Sequence, residues 1–114
     1  MDDGLYCEYY QRAAELIGGR WTAAIIRALI GGVHQFSGLR TAIPGLSDRM
    51  LSERLRELER EGIVSRVVLP ETPVRIEYHL TEKGRGLQPV MDAIIHWIAT
   101  WGETQPKPIS REES

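Results

Sequence analysis

The segment 47–61 combines arginine and serine side chains at a spacing suited to binding a nucleic acid. Leu51, Leu55 and Leu58 recur at i, i+4 and i+7, which predicts a helix with one apolar stripe. The opposite face of this helix is polar and consists of Arg49, Ser52, Glu53, Arg56 and Arg60. An arginine can form two hydrogen bonds to guanine, and a serine can donate to a base or a phosphate. An ordinary solvated face is an equal alternative, because arginine and glutamate at this spacing stabilise any exposed helix.

Cys7 is the only thiol in the chain and is a candidate redox sensor. Its predicted position, in the first turn of a helix, is compatible with a reactive thiol. A buried structural thiol is an equal alternative. A single cysteine cannot form an intramolecular disulfide, so we expect a reducing compartment, the cytoplasm.

The remaining polar residues do not indicate an enzyme. His34, His79 and His96 lie in different predicted elements, and no acidic residue or cysteine joins them at metal-ligand spacing. The chain also has no glycine-rich phosphate loop and no nucleophile with a paired base. We therefore expect no catalytic activity, no cofactor and no metal ion. An effector pocket between subunits could be lined by Trp21, Trp97 and Trp101 with Tyr9 and Tyr10, although aromatic residues on apolar helix faces usually belong to a core.

Glycine and proline residues divide the chain into four helices, two strands and a last helix. The predicted helices span about 7–17, 21–30, 37–43, 47–61 and 82–101, and the predicted strands span 64–69 and 74–80. Gly18 and Gly19 suit a left-handed cap on the first helix, Ser37 an N-cap on the third, and Pro89 a bend in the last. This order predicts a winged helix-turn-helix, a mainly α fold with a small β-hairpin (α+β), in which the second paired helix enters the major groove.

Length and charge are compatible with one DNA-binding domain. The 114 residues suffice for a single domain, which we place at 1–104 with a flexible tail at 105–114. Within this domain, the helix-turn-helix spans about 36–61 and the wing about 64–80. The net charge of −2 argues mildly against nucleic acid, but nine arginines lie at 20–75 in the middle of the chain. Asp48 and four glutamates at 53–61 share that stretch, so binding depends on which face each charge occupies. No apolar stretch is long enough to span a membrane.

A set of ordered motifs resembles the HxlR-type bacterial transcription regulators, relatives of the MarR-like winged-helix group. Besides Cys7, the motifs are IGGRWT at 17–22, FSGLR at 36–40, IPGLS at 43–47, LSERLRELE at 51–59, GIV at 62–64, VRIEY at 74–78 and LTEKG at 80–84. The resemblance implies a homodimeric repressor or activator whose 47–61 helix reads DNA and whose first and last helices form the dimer interface. Some members sense oxidants or electrophiles through a cysteine at the position of Cys7. Here Glu8 follows this cysteine, where the family usually has proline.

The last helix independently predicts a dimer, because its apolar residues cover nearly half of the helical wheel. The alternative is that the first helix of the same chain covers this surface. The predicted interface comprises Tyr10, Ala14, Val90, Met91, Ile94, Trp97, Ile98 and Trp101. A two-fold dimer would bind a palindromic operator in double-stranded DNA.

These observations predict a sequence-specific transcription regulator, with an oxidant or a small molecule as its effector. The predicted DNA contacts are Arg40, Ser47, Arg49, Met50, Ser52, Glu53, Arg54, Arg56 and Arg75. Arg75 beside the proline-bounded hairpin tip suits a backbone contact, but it could be an ordinary exposed strand residue. A winged-helix module that binds another protein is the alternative function.

Overall fold

The fold is a winged helix-turn-helix, as the order of elements predicts. A computed structural model describes residues 3–102, so the predicted tail at 105–114 lies outside the described residues. The elements are α1 (Asp3–Gly18), α2 (Thr22–Ile30), α3 (Phe36–Ala42), α4 (Asp48–Arg60), β1 (Val64–Leu69), β2 (Arg75–Leu80), α5 (Glu82–Arg85) and α6 (Gln88–Trp101). The helix-turn-helix is formed by α3 and α4, and the two antiparallel strands form the wing.

The core lies among α2, α3, α4 and the start of the hairpin. Its buried side chains are Ile25, Ile26, Leu29, Leu39, Ile43, Leu46, Leu51, Leu55, Leu58, Ile63, Val64 and Met91. The predicted leucine stripe of α4 is confirmed, since its three leucines are at most 2% exposed. Burial of a leucine or isoleucine side chain contributes about 1.5–3 kcal/mol, so this stripe fixes the orientation of α4.

Both ends of α4 are set by local sequence. The Ser47 side chain caps the N-terminus by accepting a hydrogen bond from the Met50 backbone N–H at 3.1 Å. At the other end, Gly62 has a φ of +77°, and the Ile63 N–H donates to the Leu58 carbonyl at 2.9 Å. These contacts form a Schellman motif, which ends the helix and directs the chain into β1.

The wing is a hairpin whose outer edge is covered by the loop before α3. Val64 pairs with Leu80, and Leu69 pairs with Arg75, so residues 70–74 form the tip. The Tyr78 N–H donates to the His34 carbonyl at 2.8 Å, and the His34 Nδ1 donates to the Tyr78 carbonyl at 3.0 Å. On the same strand Glu77 and His79 are half-buried, whereas Arg75 next to the tip is exposed.

Two local predictions were wrong. The N-cap of α3 is Gln35, and Ser37 lies inside the helix, where its carbonyl accepts a hydrogen bond from Thr41. The left-handed residue between α1 and α2 is Trp21, with a φ of +78°, and not Gly18 or Gly19. The side chain of Trp21 packs against the core, and this burial favours a backbone conformation that local propensity disfavours.

The segment predicted as one bent helix is two helices. Thr81 caps α5 by accepting a hydrogen bond from the Gly84 N–H at 3.1 Å, and Pro89 lies in the first turn of α6. Gly84 is buried so closely that a Cβ there would lie 2.2 Å from the Ile63 carbonyl oxygen. This close approach fixes α5 against the end of α4, because the two backbones meet without an intervening side chain.

Candidate nucleic-acid interface

The polar face of α4 is the candidate surface for DNA on the helix-turn-helix. The Arg49 side chain is 88% exposed, Arg56 is also exposed, and Ser52 and Glu53 are half-buried. Because the leucine stripe holds the opposite face in the core, these side chains point outward together. The sequence analysis predicted this arrangement.

Four of the predicted DNA-contacting arginines form ion pairs with carboxylates of the same chain. The pairs are Arg40 with Asp48 at 2.9 Å, Arg49 with Glu53 at 3.3 Å, Arg54 with Glu57 at 2.9 Å, and Arg75 with Glu77 at 3.2 Å. Exposed pairs of this kind contribute about 0–1 kcal/mol. A phosphate or a base edge could therefore replace the carboxylate at small cost.

Met50 and Arg54 lie away from the outward face of α4, whereas Ser47 is exposed at the N-terminus of this helix. The Ser47 hydroxyl oxygen is engaged as the N-cap. Met50 is half-buried against the core, and together with Arg54 it lines a cleft that also includes Trp21 and Glu15. These residues occupy the flank of α4 that faces α1 and α2.

A polar groove separates α4 from the wing. Its volume is about 430 Å³, and its lining residues are Ser52, Leu55, Arg56 and Glu59 from α4 with Arg66 and Tyr78 from the hairpin. The sequence analysis did not include Arg66 among the DNA contacts. The alternation of side chains along β1 could have indicated it, because Arg66 lies two residues after the buried Val64 and therefore on the same face of the strand, towards α4.

The base of the wing carries a histidine-carboxylate cluster next to Arg75. The rings of His34 and His79 stack with centroids 4.0 Å apart, and His79 Nε2 donates to Glu77 at 2.8 Å. This hydrogen bond, with a smaller contribution from the charge of Arg75, lowers the pKa of Glu77 from its usual value, and burial opposes the shift. The carboxylate thus stays ionised and holds Arg75 beside the wing tip.

Most of the predicted dimer interface is exposed in the single chain. On α6, Val90, Ile94, Ile95, Trp97, Ile98 and Trp101 are 39–54% exposed, and on α1 Tyr10 is 70% exposed and Ala14 is also exposed. The alternative in which α1 of the same chain covers α6 is therefore wrong. Met91 is a correction to the predicted interface, since it is 3% exposed and belongs to the core of its own subunit.

Other predicted sites are isolated in the described residues. Cys7 is a free, exposed thiol on α1, so the buried alternative is wrong. Trp21 is half-buried beside α4, whereas Trp97 and Trp101 are exposed on α6, so these residues do not share a pocket within the subunit. Across residues 3–102, no group of histidine, cysteine and acidic side chains could hold a metal ion, and no helix is long and apolar enough to cross a membrane.

Sequence comparisons place these features in a family of regulators. The model of the HxlR-like helix-turn-helix family matches residues 16–106. The HTH-type transcriptional regulator YvaP of Bacillus subtilis is 46% identical over 101 residues, which cover 89% of this chain and 94% of YvaP. The HTH-type transcriptional regulator YodB of the same organism is 46% identical over 91 residues, which cover 80% of this chain and 81% of YodB.

Solved structures agree with the sequence comparisons. The reduced form of the transcriptional regulator YodB from B. subtilis superposes with a TM-score of 0.76 at 44% identity, covering 84% of this chain and 94% of YodB. The redox regulator HypR in its reduced form superposes with a TM-score of 0.78 at 35% identity, covering 83% of this chain and 94% of HypR. Given the family match, the relatives and the exposed polar face of α4, the chain belongs to the HxlR-like helix-turn-helix family of DNA-binding transcriptional regulators.

Proposed function

We propose that a homodimer of this chain inserts α4 of each subunit into successive major grooves of a palindromic operator. The observation that carries the proposal is the uncovered polar face of α4, held outward by a buried leucine stripe. In helix-turn-helix proteins, residues near the N-terminus of the second helix contact base edges. Arg49, Ser52 and Glu53 occupy that end of α4.

Arg49 is the proposed base-reading residue. Its guanidinium is highly exposed, and its partner Glu53 lies one turn further along the same face. The ion pair uses Nε of Arg49 and restricts the side chain before binding. The two terminal nitrogens of the guanidinium can then donate hydrogen bonds to O6 and N7 of guanine. Glu53 can in turn accept a hydrogen bond from a cytosine amino group.

The proposed backbone contacts come from residues around α4. Arg40 near the end of α3 and Arg75 at the start of β2 are each about half-exposed and each is held by one carboxylate. Arg54 is more buried and lies on the flank of α4 that faces α1 and α2, so its proposed contact is with a phosphate beside the major groove. Phosphate contacts of this kind position the protein without selecting a sequence.

The proposed dimer interface combines the exposed apolar faces of α1 and α6. Trp97, Ile98 and Trp101 are each more than half exposed, and a contiguous apolar patch with aromatic residues is typical of an interface. A two-fold dimer presents two α4 helices to half-sites about one DNA turn apart. This geometry is the reason for expecting a palindromic operator.

We further propose that oxidation of Cys7 regulates DNA binding in the cytoplasm. Cys7 is exposed on α1, one of the two helices of the proposed dimer interface. YodB has been solved in a reduced and a diamide-treated form, and HypR is a redox regulator solved in its reduced and oxidised forms. With one thiol per chain, a disulfide between two protein thiols joins two subunits, and the two electrons and two protons pass to an oxidant such as diamide.

Fluorescence anisotropy of the purified protein tests the DNA proposal. The protein is titrated against labelled duplex from upstream of its own gene, with scrambled duplex as competitor, at two salt concentrations. We expect saturable binding that resists the scrambled duplex and weakens steeply as salt rises. Absence of binding at low salt would contradict the proposal and favour a winged-helix module that binds another protein.

A further inference from the structure

The groove between α4 and the wing carries arginines that do not pair with a carboxylate. Arg56 on α4 and Arg66 on β1 both line this groove. Within residues 3–102, neither guanidinium lies within 4.0 Å of a carboxylate oxygen, whereas Arg40, Arg49, Arg54 and Arg75 all do. The groove therefore presents two uncompensated guanidinium groups.

The other lining residues only partly balance the charge of these two arginines. Glu59 contributes one carboxylate on the α4 side but forms no ion pair with either arginine, so the groove keeps an excess of one positive charge. Ser52 adds a hydroxyl group that can donate a hydrogen bond. Two guanidinium groups beside a hydroxyl form a donor set suited to the oxygen atoms of a phosphate.

The position of the groove indicates which phosphate would bind there. When α4 lies in the major groove and the wing lies along the adjacent minor groove, the sugar-phosphate backbone that separates the two DNA grooves must pass between these elements. Arg66 projects from a paired strand and Arg56 from a helix whose opposite face is buried, so both backbones are fixed relative to one another.

We propose that Arg56 and Arg66 form a clamp for one phosphate of the DNA backbone, and that this clamp sets how α4 sits in the major groove. The inference rests on the proposed docking of α4 and adds Arg66 to the interface. It also assigns Arg56, one of the predicted DNA contacts, to binding phosphate. Both residues are then positioning residues, and their removal weakens binding to every sequence to the same degree.

The test compares Arg66→Gln with the unaltered protein by fluorescence anisotropy over a range of KCl concentrations. Both an operator duplex and a random-sequence duplex are measured. Each phosphate contact adds about 0.9 to the slope of log K against log salt, so a dimer that loses two contacts should have a slope smaller by about 2. Affinity at low salt should fall roughly tenfold for each lost contact, and equally for both duplexes.

Control variants separate this effect from a change in fold or in total charge. Arg66→Lys retains the positive charge and should retain the slope. Arg27→Gln removes the same charge from an exposed position on α2, which does not line the groove, and should also leave the slope unchanged. Circular dichroism and thermal unfolding establish that each variant is folded, and Arg56→Gln provides a second variant with the same expected loss of slope.

A further arm distinguishes DNA backbone phosphate from a free anion. DNA-free protein is heated in inorganic phosphate and in KCl of equal ionic strength. If the slope of log K against log salt is unchanged in folded Arg66→Gln and Arg56→Gln, the clamp is refuted. If inorganic phosphate also raises the melting temperature of the unaltered protein, the groove is a site for a free anion instead. The salt dependence of binding can also be measured on random-sequence duplex. Failure to find an operator would therefore refute the proposed sequence specificity without deciding the clamp. Absence of any DNA binding at low salt would refute both the sequence specificity and the clamp.

Discussion

Arg49→Ala provides the sharpest test of base reading, because the structure separates its effect on binding from its effect on folding. In the free protein the Arg49 side chain is 88% exposed and makes one ion pair with Glu53 at 3.3 Å. A pair of this type at i, i+4 contributes about 0.3–0.5 kcal/mol, so the free energy of unfolding should change by no more than that. The free energy of binding to the operator should change much more.

A bidentate contact between arginine and guanine contributes about 1–3 kcal/mol of discrimination against the wrong base. With one such contact in each subunit, the dimer should lose about 2–6 kcal/mol of operator binding free energy, which is about 30-fold or more in the dissociation constant. Binding to scrambled duplex should change little, because a base contact carries the sequence preference. The measurement is the ratio of the two dissociation constants at one salt concentration.

The Arg49→Ala experiment has a matched comparison in Arg75→Ala. Arg75 is a proposed phosphate contact, so its removal should weaken operator and scrambled duplex alike and leave their ratio unchanged. If Arg49→Ala also leaves the ratio unchanged, then Arg49 does not read a base and the proposed docking of α4 is refuted. A loss of unfolding free energy well above 0.5 kcal/mol would instead show that Arg49 supports the fold.

Further predictions concern the dimer, the packing of α5 and the wing. Ile98→Glu should convert the dimer to a monomer in analytical ultracentrifugation, since it places a charge in the exposed apolar face of α6, and a dimer that persists would contradict the proposed interface. Gly84→Ala should destabilise the fold by about 1–3 kcal/mol in urea unfolding, because the added Cβ meets the Ile63 carbonyl, and unchanged stability would contradict this packing. Because the folded-state pKa of Glu77 is lowered by its hydrogen bond from His79, Glu77→Gln should be less stable than the unaltered protein above the usual glutamate pKa of 4.5. That difference should disappear as the pH falls through the lower folded-state pKa, and a difference that grows on acidification would contradict the assignment.

The parts of the fold that sequence predicted are those in which local and tertiary preferences agree. For α4, the serine N-cap, the leucine stripe and Gly62 with Ile63 all indicate the same boundaries, and the structure has them. Each signal arises from contacts within one element or its caps. The polar face followed directly, because the buried stripe determines which side chains point outward.

The errors arose where a tertiary contact outweighed a local preference. Trp21 adopts a left-handed conformation because its indole packs against the core, and neither neighbouring glycine takes that role. The loop at His34 joins the edge of β2 through hydrogen bonds to Tyr78, a pairing with no signal in the spacing of apolar residues. Arg66 was not among the predicted contacts, because the groove that it lines forms only when α4 packs against the hairpin.

The pairing of charges also explains how a chain with a net charge of −2 can present a DNA-binding surface. Arg40 and Arg49 are each paired with a carboxylate of the same chain. A phosphate that binds either arginine must therefore also approach a negative charge. Their contribution to nonspecific attraction is therefore small, although their contribution to recognising a correctly placed acceptor can remain large. Arg56 and Arg66 lack such partners in the described part of the chain and attract any phosphate. We therefore propose a division of roles, in which Arg56 and Arg66 supply much of the salt-dependent attraction and Arg49 favours one sequence.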